Sequence, residues 1–293
     1  MAQIEYKELL DAGVHFGHLT RKWDPRMAPY IFMEKNGIHI IDLNKTLASL
    51  DQASAAMRQI IRSGRKVMFV ATKKQAQEVV SSEAQRLKMP YVTERWLGGM
   101  LTNFATVRKS LKKLSSIDKL MKEDTFNNLA KRERLMVSRE RDKLQRVLGG
   151  IADLTRLPAA LFVIDVKREH IAIAEAKKLG IPVFAMVDTN SNPEAVDFPI
   201  PANDDAYKSV SIITLAIGKV IEEALMERKK DKDDQRLQEE EDTKRQVDGA
   251  ATPVVRTRRS ESTEAEAAVE RDAPTASVEK IEISEEAVGE EEA

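Results

Sequence analysis

Residues 160–187 read ALFVIDVKREHIAIAEAKKLGIPVFAMV and comprise one strand–helix–strand unit. Its two apolar runs, Ala160–Ile164 and Val183–Val187, contain no polar residue, as is typical of parallel strands buried on both faces. The charged, helix-forming stretch 167–179 lies between them. Because parallel strands need such a crossover, the unit predicts an α/β sheet sandwiched by helices.

The same alternation continues on both sides of this unit. Residues 67–71 form another apolar run, and a helical pattern over 73–89 and a short strand at 91–92 follow it. A strand at 197–200 is restricted to a sheet edge, because its prolines have no N–H to donate. The last helix has apolar residues at helical spacing: Val210, Ile213, Ile217, Val220 and Ala224. We predict one parallel-sheet domain from residues 1–100 and 151–227.

The N-terminal region has a different pattern. Asn36 and Gly37 separate the apolar stretches 30–33 and 38–41, which predicts a two-residue β-hairpin. Asp42 or Asn44 is suited to cap the following helix, and Asp204 or Asp205 to cap the last one. His15 and His18 are three residues apart, so they share a face if their segment is helical.

Residues 101–150 interrupt the α/β pattern with two predicted helices. Apolar residues recur at steps of three or four over 104–121 and again over 137–151, with a polar stretch between them. This pattern predicts an inserted antiparallel coiled-coil helical hairpin. The segment contains 13 basic and 6 acidic residues, a net charge of +7. A surface of balanced ion pairs would have a net charge near zero, so the excess of cations argues against one.

The overall charge of -1 conceals two opposite regions. From Asp231 onward there are 20 acidic and 9 basic residues, whereas residues 1–230 have a net charge of +10. No aromatic residue follows Tyr207. A segment of this composition buries too little apolar surface to offset the entropy of ordering. We predict that 228–293 is an acidic, largely disordered tail, whose first part, 228–245, extends the last helix.

Missing residue types argue against several classes of function. The chain has no cysteine, which excludes a disulfide framework, a cysteine metal site and a thiol nucleophile. It also has no G-x-G, P-loop or G-x-S-x-G pattern. The N-terminus lacks the apolar run of a secretory signal, and no apolar run is long enough to cross a bilayer. We expect an intracellular protein, not a membrane protein. A nucleotide- or metal-dependent enzyme and a protein-interaction scaffold remain as alternatives.

Four residues form a candidate metal site. Parallel strands end at Asp165 and Asp188, at the sheet edge where α/β proteins bind ligands. Imidazole and carboxylate side chains together suit a divalent ion. The proposed ligands are His18, Asp188, Asp204 and Asp205. Asn203, Asp204 and Asp205 are explained equally well as helix caps, so we expect no required cofactor and at most a structural divalent ion.

Positive charge is the stronger functional signal. Two clusters combine cations with tryptophan, at 21–26 and 94–99, and such residues can bind phosphates and stack on bases. Trp96 is also suited to packing at the root of the hairpin. The candidate RNA-binding residues are Arg21, Lys22, Trp23, Arg26, Lys73, Lys74, Arg95, Arg108, Lys109, Lys112, Lys113, Lys131, Arg132 and Arg134.

Several long blocks together resemble the bacterial family of small-subunit ribosomal protein two. They are GVHFGH at 13–18, TRKW at 20–23, GIHIIDL at 37–43, RWLGGMLTNF at 95–104, and the stretches 162–170, 180–190 and 200–206. The resemblance covers about residues 1–227. It implies a flavodoxin-like sheet domain with an inserted helical hairpin.

The resemblance also implies a function without catalysis. Members are structural constituents of the small subunit, on cytoplasmic ribosomes, and bind small-subunit ribosomal RNA. The expected partners are that RNA and neighbouring small-subunit proteins, including the large OB-fold ribosomal protein that assists messenger RNA binding. The tail after Arg228 is longer and more acidic than the family pattern, so no function is transferred to it.

Overall fold

The computed structural model describes residues 4–123 and 125–249, which form eight strands and eight α-helices. The strands are β1 Phe16–Leu19, β2 Ile31–Lys35, β3 Ile38–Ile41, β4 Val67–Val70, β5 Tyr91–Val92, β6 Ala160–Ile164, β7 Val183–Val187 and β8 Phe198–Pro201. The helices are α1 Tyr6–Asp11, α2 Leu43–Arg62, α3 Lys74–Arg86, α4 Phe104–Leu120, α5 Thr125–Asn128, α6 Lys131–Leu148, α7 His170–Lys178 and α8 Tyr207–Gly249.

The chain divides into two units, Met1–Asp242 and Thr243–Ala293. Both sheets belong to the first unit, and only the final turns of α8 are described in the second. Helix α8 continues to Gly249, so residues 228–245 extend the last helix as predicted. The rest of the predicted acidic tail, 250–293, lies outside the described residues.

The larger sheet has five parallel strands in the order β5-β4-β6-β7-β8. In chain order of those strands this is 2-1-3-4-5, the flavodoxin-like order. The prediction of the α/β class and of its strand order is therefore confirmed. Strand β8 lies at an edge of the sheet. Pro199 and Pro201, which have no N–H to donate, therefore cost the sheet no hydrogen bond there.

Each face of this sheet packs against its own apolar cluster. Phe69, Phe162 and Phe184 have no exposed surface and point to the side covered by α2, α3 and α8. The alternate residues Met68 and Val163 point to the other side, which packs with α7 and the base of the inserted helices. Burial of each such side chain contributes about 1.5 to 3 kcal/mol, so the two clusters stabilise a rigid body.

A second, antiparallel sheet of three strands, in the order β1-β3-β2, lies at the N-terminus. The predicted hairpin is confirmed, with Asn36 and Gly37 at φ of 55° and 73° in its turn. The segment of His15 and His18 is not helical. Phe16–Leu19 forms strand β1 and pairs with β3. The Asp42 side chain accepts the Asn44 N–H at 3.0 Å and caps α2.

Helices α4 and α6 lie between β5 and β6 in the chain and pack on each other. On α4 the apolar residues at helical spacing are buried: Val107, Leu111, Leu114 and Ile117. On α6 Leu148 is buried at the base, whereas Leu135 and Met136 are 51% and 62% exposed. A heptad coiled-coil seam therefore stays a prediction, and "the hairpin" below means α4 and α6.

Candidate nucleic-acid interface

The outer surface of the hairpin carries most of the candidate RNA-binding cations. Six of them are exposed on the helices: Arg108, Lys109, Lys112, Lys113, Lys131 and Arg132. Arg134 is half-buried. Lys113 forms an ion pair with Glu140 across the two helices, and Arg141 Nε lies 2.7 Å from Asp118 Oδ1. Within 4–123 and 125–249, the other five exposed cations form no ion pair, so their charge faces solvent.

Residues 21–26 form a second exposed basic surface, here called the N-terminal basic segment. Arg21, Lys22 and Arg26 are exposed, although Arg26 lies 3.4 Å from the Glu194 carboxylate. The Trp23 ring is 37% exposed and lies 5.1 Å from the His39 ring. Its partial exposure leaves one part of the indole available to a base while the rest packs.

The end of β7 determines where this segment lies. His18 N donates to Thr189 Oγ1 at 2.8 Å, and Asp24 N donates to the Thr189 carbonyl at 2.8 Å. At Gly17 an added Cβ would lie 2.6 Å from the Thr189 methyl carbon, so only glycine permits this close approach. The N-terminal basic segment is thereby joined to the carboxyl edge of the parallel sheet.

At that edge Lys73 is buried and surrounded by carboxylates. Its Nζ lies 2.7 Å from Asp204 Oδ1, 2.5 Å from Asp205 Oδ1 and 3.8 Å from Asp165 Oδ2. These residues, with Asp188 and His18, are called the carboxyl-edge cluster below. Burial lowers the pKa of Lys73, but Asp204 and Asp205 outweigh burial and its pKa lies above the ordinary value. The RNA-binding role of Lys73 stays a prediction, and its ammonium is already bound internally by Asp204 and Asp205.

The loop that follows β4 is held by contacts with the chain itself. Strands β4 and β6 are neighbours where the strand order reverses, which is where flavodoxin-like folds bind their ligand. Here the loop after β4 is bound by the chain itself, because the buried Glu169 carboxylate accepts from the Thr72 N–H at 2.9 Å and from its hydroxyl. Arg168 Nε donates to that hydroxyl at 2.8 Å.

Three of the four predicted metal ligands meet within this cluster. One ligand atom each from His18, Asp188 and Asp204 lies within 4.8 Å of the others. His18 Nδ1 is 3.0 Å from Asp188 Oδ2, whereas Asp205 contacts His18 Nε2 at 3.2 Å and lies outside the group of three. Asp204 Oδ2 is buried without a hydrogen-bond partner. This donor set fits a divalent ion that takes nitrogen and oxygen ligands.

The same geometry shifts the pKa values of Asp204 and His18. Burial first, then the nearby Asp188 and Asp165, raises the pKa of Asp204 to about 7. A hydrogen bond to Asp188 raises the pKa of His18 against the effect of burial. Helix capping does not explain the two aspartates, because Asn203 Oδ1 accepts the N–H groups of Asp205 and Ala206 at 2.9 and 3.3 Å.

The remaining sequence candidates divide between surface and core. Lys74 and Arg95 are exposed. Trp96 is 7% exposed and packs at the root of the hairpin, so its role is structural. Its indole N–H donates to Glu175 at 3.1 Å, and Glu175 was not among the candidates. In the sequence, Glu175 could have been recognised because it lies on the apolar face of α7, beside Ala172 and Ala176, where a charged residue is unexpected.

Comparison with known proteins identifies the family. The model of the family described as ribosomal protein S2 matches residues 9–224. The chain belongs to the ribosomal protein S2 family. The small ribosomal subunit protein uS2 of Cytophaga hutchinsonii is 75% identical over 248 residues, which are 85% of this chain and 98% of that protein.

Other ribosomal S2 proteins show the same likeness at lower identity. The small ribosomal subunit protein uS2 of Parabacteroides distasonis is 57% identical over 88% of this chain and 93% of its own length. The uS2 protein of Flavobacterium johnsoniae is 62% identical over 79% of this chain and 91% of its own length.

Membership of the ribosomal protein S2 family confirms three predictions. The chain is a structural constituent of the small ribosomal subunit, it is a protein of the ribosome, and it is not an enzyme. Ribosomal RNA and other small-subunit proteins form its surroundings. Among the described residues, no helix combines the length and the apolar character that a bilayer crossing requires.

Proposed function

We propose that this S2-family chain binds small-subunit ribosomal RNA through the hairpin and the N-terminal basic segment together. The observation that supports the proposal is a run of exposed cations on the hairpin that have no ion-pair partner among the described residues: Arg108, Lys109 and Lys112 on α4, with Lys131 and Arg132 on α6. Basic side chains displace counterions from phosphates, which makes binding strong at low salt and weak at high salt.

Specificity comes from the separation of the two basic surfaces. Folded RNA hides base edges in its deep major groove, so proteins recognise its shape and a few unstacked bases. The apolar clusters hold both surfaces on one body, and two surfaces at a constant separation select RNA helices at a matching separation. Trp23 supplies a partly exposed ring for one stacked base.

We further propose that a neighbouring ribosomal protein docks on the N-terminal sheet. Exposed apolar side chains surround a groove of about 410 Å³ there: Tyr6, Leu10, Phe16, Phe32 and Met33. Phe32 is 70% exposed, and an aromatic ring in that state is a typical anchor of a protein interface. The proposed occupant is the large OB-fold ribosomal protein that assists messenger RNA binding.

A structural divalent ion is the third proposal. His18, Asp188 and Asp204 would hold it and thereby join β1 to the ends of β7 and β8. Zn²⁺ is a suitable probe for such a divalent ion, because it accepts both imidazole and carboxylate ligands. In a chelator-treated sample, equimolar Zn²⁺ should raise the midpoint of thermal unfolding by a few degrees, and His18→Ala should abolish the increase. An equal increase in both proteins would contradict the site.

Sucrose-gradient sedimentation of a native extract tests the RNA proposal. At low salt the chain should co-sediment with the small subunit, and rising salt should release it before the subunit itself dissociates. Sedimentation as free protein at low salt, beside intact small subunits in the same gradient, would contradict the proposal. For the docking proposal, Phe32→Ala should reduce recovery of the OB-fold protein with the subunit, whereas the control Phe126→Ala should not.

A further inference from the structure

One buried carboxylate organises the segment that leads into the hairpin. Glu175 lies on α7, on the face that packs against the sheet, and is 8% exposed. Its Oε1 accepts from the Trp96 indole at 3.1 Å and from the Gly99 N–H at 2.7 Å. Its Oε2 accepts from the Leu101 N–H at 2.9 Å and from the Thr102 N–H and hydroxyl at 3.1 and 3.3 Å.

No cation contributes to this arrangement in the described parts of the chain. Glu175 forms no ion pair there, so only N–H and O–H dipoles of residues 96–102 compensate its charge. Burial raises the pKa of Glu175, but the hydrogen bonds from Leu101, Trp96, Thr102 and Gly99 outweigh it, and the net pKa is lowered. Residues 96–102 therefore wrap around an internal anion, as backbone N–H groups do around a bound one.

The wrapped segment is the root of the hairpin. Helix α4 begins at Phe104, two residues after Thr102. Trp96, Met100 and Leu101 share an apolar cluster with Val107 on α4 and Leu148 on α6. Any change in the path of residues 96–102 is consequently transmitted to the direction in which the hairpin leaves the sheet domain.

We propose that Glu175 is a positioning residue that sets the orientation of the hairpin relative to the N-terminal basic segment. The role in RNA binding rests on the proposed function above, since both surfaces must engage one RNA. Loss of the orientation lowers the effective concentration of the second surface once the first has bound. Glu175 lies beneath the root and touches no RNA itself.

Glu175→Gln is the primary test. Glutamine keeps the shape but turns an N–H donor toward the N–H groups of residues 101 and 102, so that one set of contacts is lost. The matched control is Glu78→Gln, since Glu78 is an exposed glutamate on α3 that forms no ion pair in the part of the chain described. Circular dichroism checks that each protein remains folded.

The orientation itself is measured with a pair of spin labels. Because the chain has no cysteine, Gln52→Cys on α2 and Lys122→Cys beyond α4 place one label on the sheet domain and one on the hairpin without side reactions. We expect one narrow distance distribution in the unaltered and Glu78→Gln backgrounds and a broad one with Glu175→Gln. Loss of stability alone would not broaden the distances of a protein that is still folded.

RNA affinity is the second readout. With small-subunit ribosomal RNA transcribed from the same genome, we expect Glu175→Gln to weaken binding by about tenfold and Glu78→Gln to leave it unchanged. If Glu175→Gln does not fold, Trp96→Phe removes one donor while keeping an aromatic ring, and it should broaden the distances to a smaller extent.

The outcomes separate this inference from the proposed function. A folded Glu175→Gln protein with an unchanged distance distribution would overturn the positioning role. Broadened distances with undiminished RNA affinity would overturn the claim that orientation governs binding. If the unaltered chain itself binds no RNA at low salt, the proposed function fails, whereas the distances still decide whether Glu175 orients the hairpin.

Discussion

Lys73 and Lys112 carry the same charge, but the two regions around them use it in opposite ways. In the carboxyl-edge cluster the ammonium of Lys73 is bound by Asp204 and Asp205, and the lysine side chain is 10% exposed. On the hairpin Lys112 is exposed and forms no ion pair within the described residues. Positive charge alone therefore does not locate a nucleic-acid surface. We propose that RNA binds where the fold leaves cations without a counter-charge.

The largest expected effect tests whether Lys73 is bound internally in the carboxyl-edge cluster. Lys73→Met leaves buried carboxylates without their cation and should lower the free energy of unfolding by about 3 to 5 kcal/mol, measured by urea denaturation. Lys74→Met is the control, because Lys74 is exposed and should change stability by less than about 0.5 kcal/mol. Equal effects of the two substitutions would show that Lys73 is not bound internally.

Charge reversal tests whether the exposed cations of the hairpin bind RNA. Replacing Lys109, Lys112 and Arg132 together with glutamate should weaken RNA binding by about a hundredfold and reduce the salt slope by about three. The control reverses three exposed cations on the sheet domain, Arg65, Lys178 and Lys208, and should weaken binding far less. If both triple variants lose affinity equally, binding follows total charge and the hairpin has no special role.

A smaller effect is expected where the carboxyl-edge cluster meets the N-terminal basic segment. Thr189→Val removes the acceptor for the His18 N–H and the donor to Asp188 Oδ1, 3.1 Å away. We expect a loss of about 1 to 3 kcal/mol in the free energy of unfolding, because a partly buried N–H then lacks its partner. Thr155→Val, at an exposed position, should lie within about 0.5 kcal/mol of the unaltered protein. A neutral result at Thr189 would mean that the N-terminal basic segment is positioned by other contacts.

The smallest effect concerns the ion pair between Asp118 and Arg141 on the hairpin. Asp118→Asn removes the nearer of two carboxylates that pair with Arg141, the other being Asp142 at 3.6 Å, and the side chains of Asp118 and Arg141 are both more than one third exposed. Solvent screens such pairs, so the midpoint of thermal unfolding should stay almost unchanged, while RNA affinity rises slightly because one negative charge is removed. A clear fall in that midpoint would indicate that the hairpin depends on this pair for its packing.

Much of the fold followed from local patterns. The continuous apolar runs predicted β4, β6 and β7, and the Asn36-Gly37 turn predicted the pairing of β2 with β3. Strand β1 was not predicted, because FGHL has no alternation of apolar and polar residues and becomes a strand only by pairing with β3. Single-sequence patterns register local preference, whereas this strand depends on a partner about twenty residues away.

The candidate site was predictable only in part. The hairpin cations were recognised from their number and spacing, since long charged side chains on a helix surface stay in solvent. The sequence revealed neither the ion pairs of Lys73 nor the hydrogen bonds of Glu175, for one reason. Both are charged residues whose partners lie far away in sequence, at separations of 131 residues for Lys73 with Asp204 and 79 for Glu175 with Trp96.

The sequence by itself determined the class of the sheet, the inserted basic helices and the family, because each depends on residue type and short-range spacing. Only the tertiary structure decided which charges are free. Ion pairing and burial depend on distances of a few ångströms between residues from different elements, and the Coulomb energy at those distances decides whether a lysine binds phosphate or stabilises the fold.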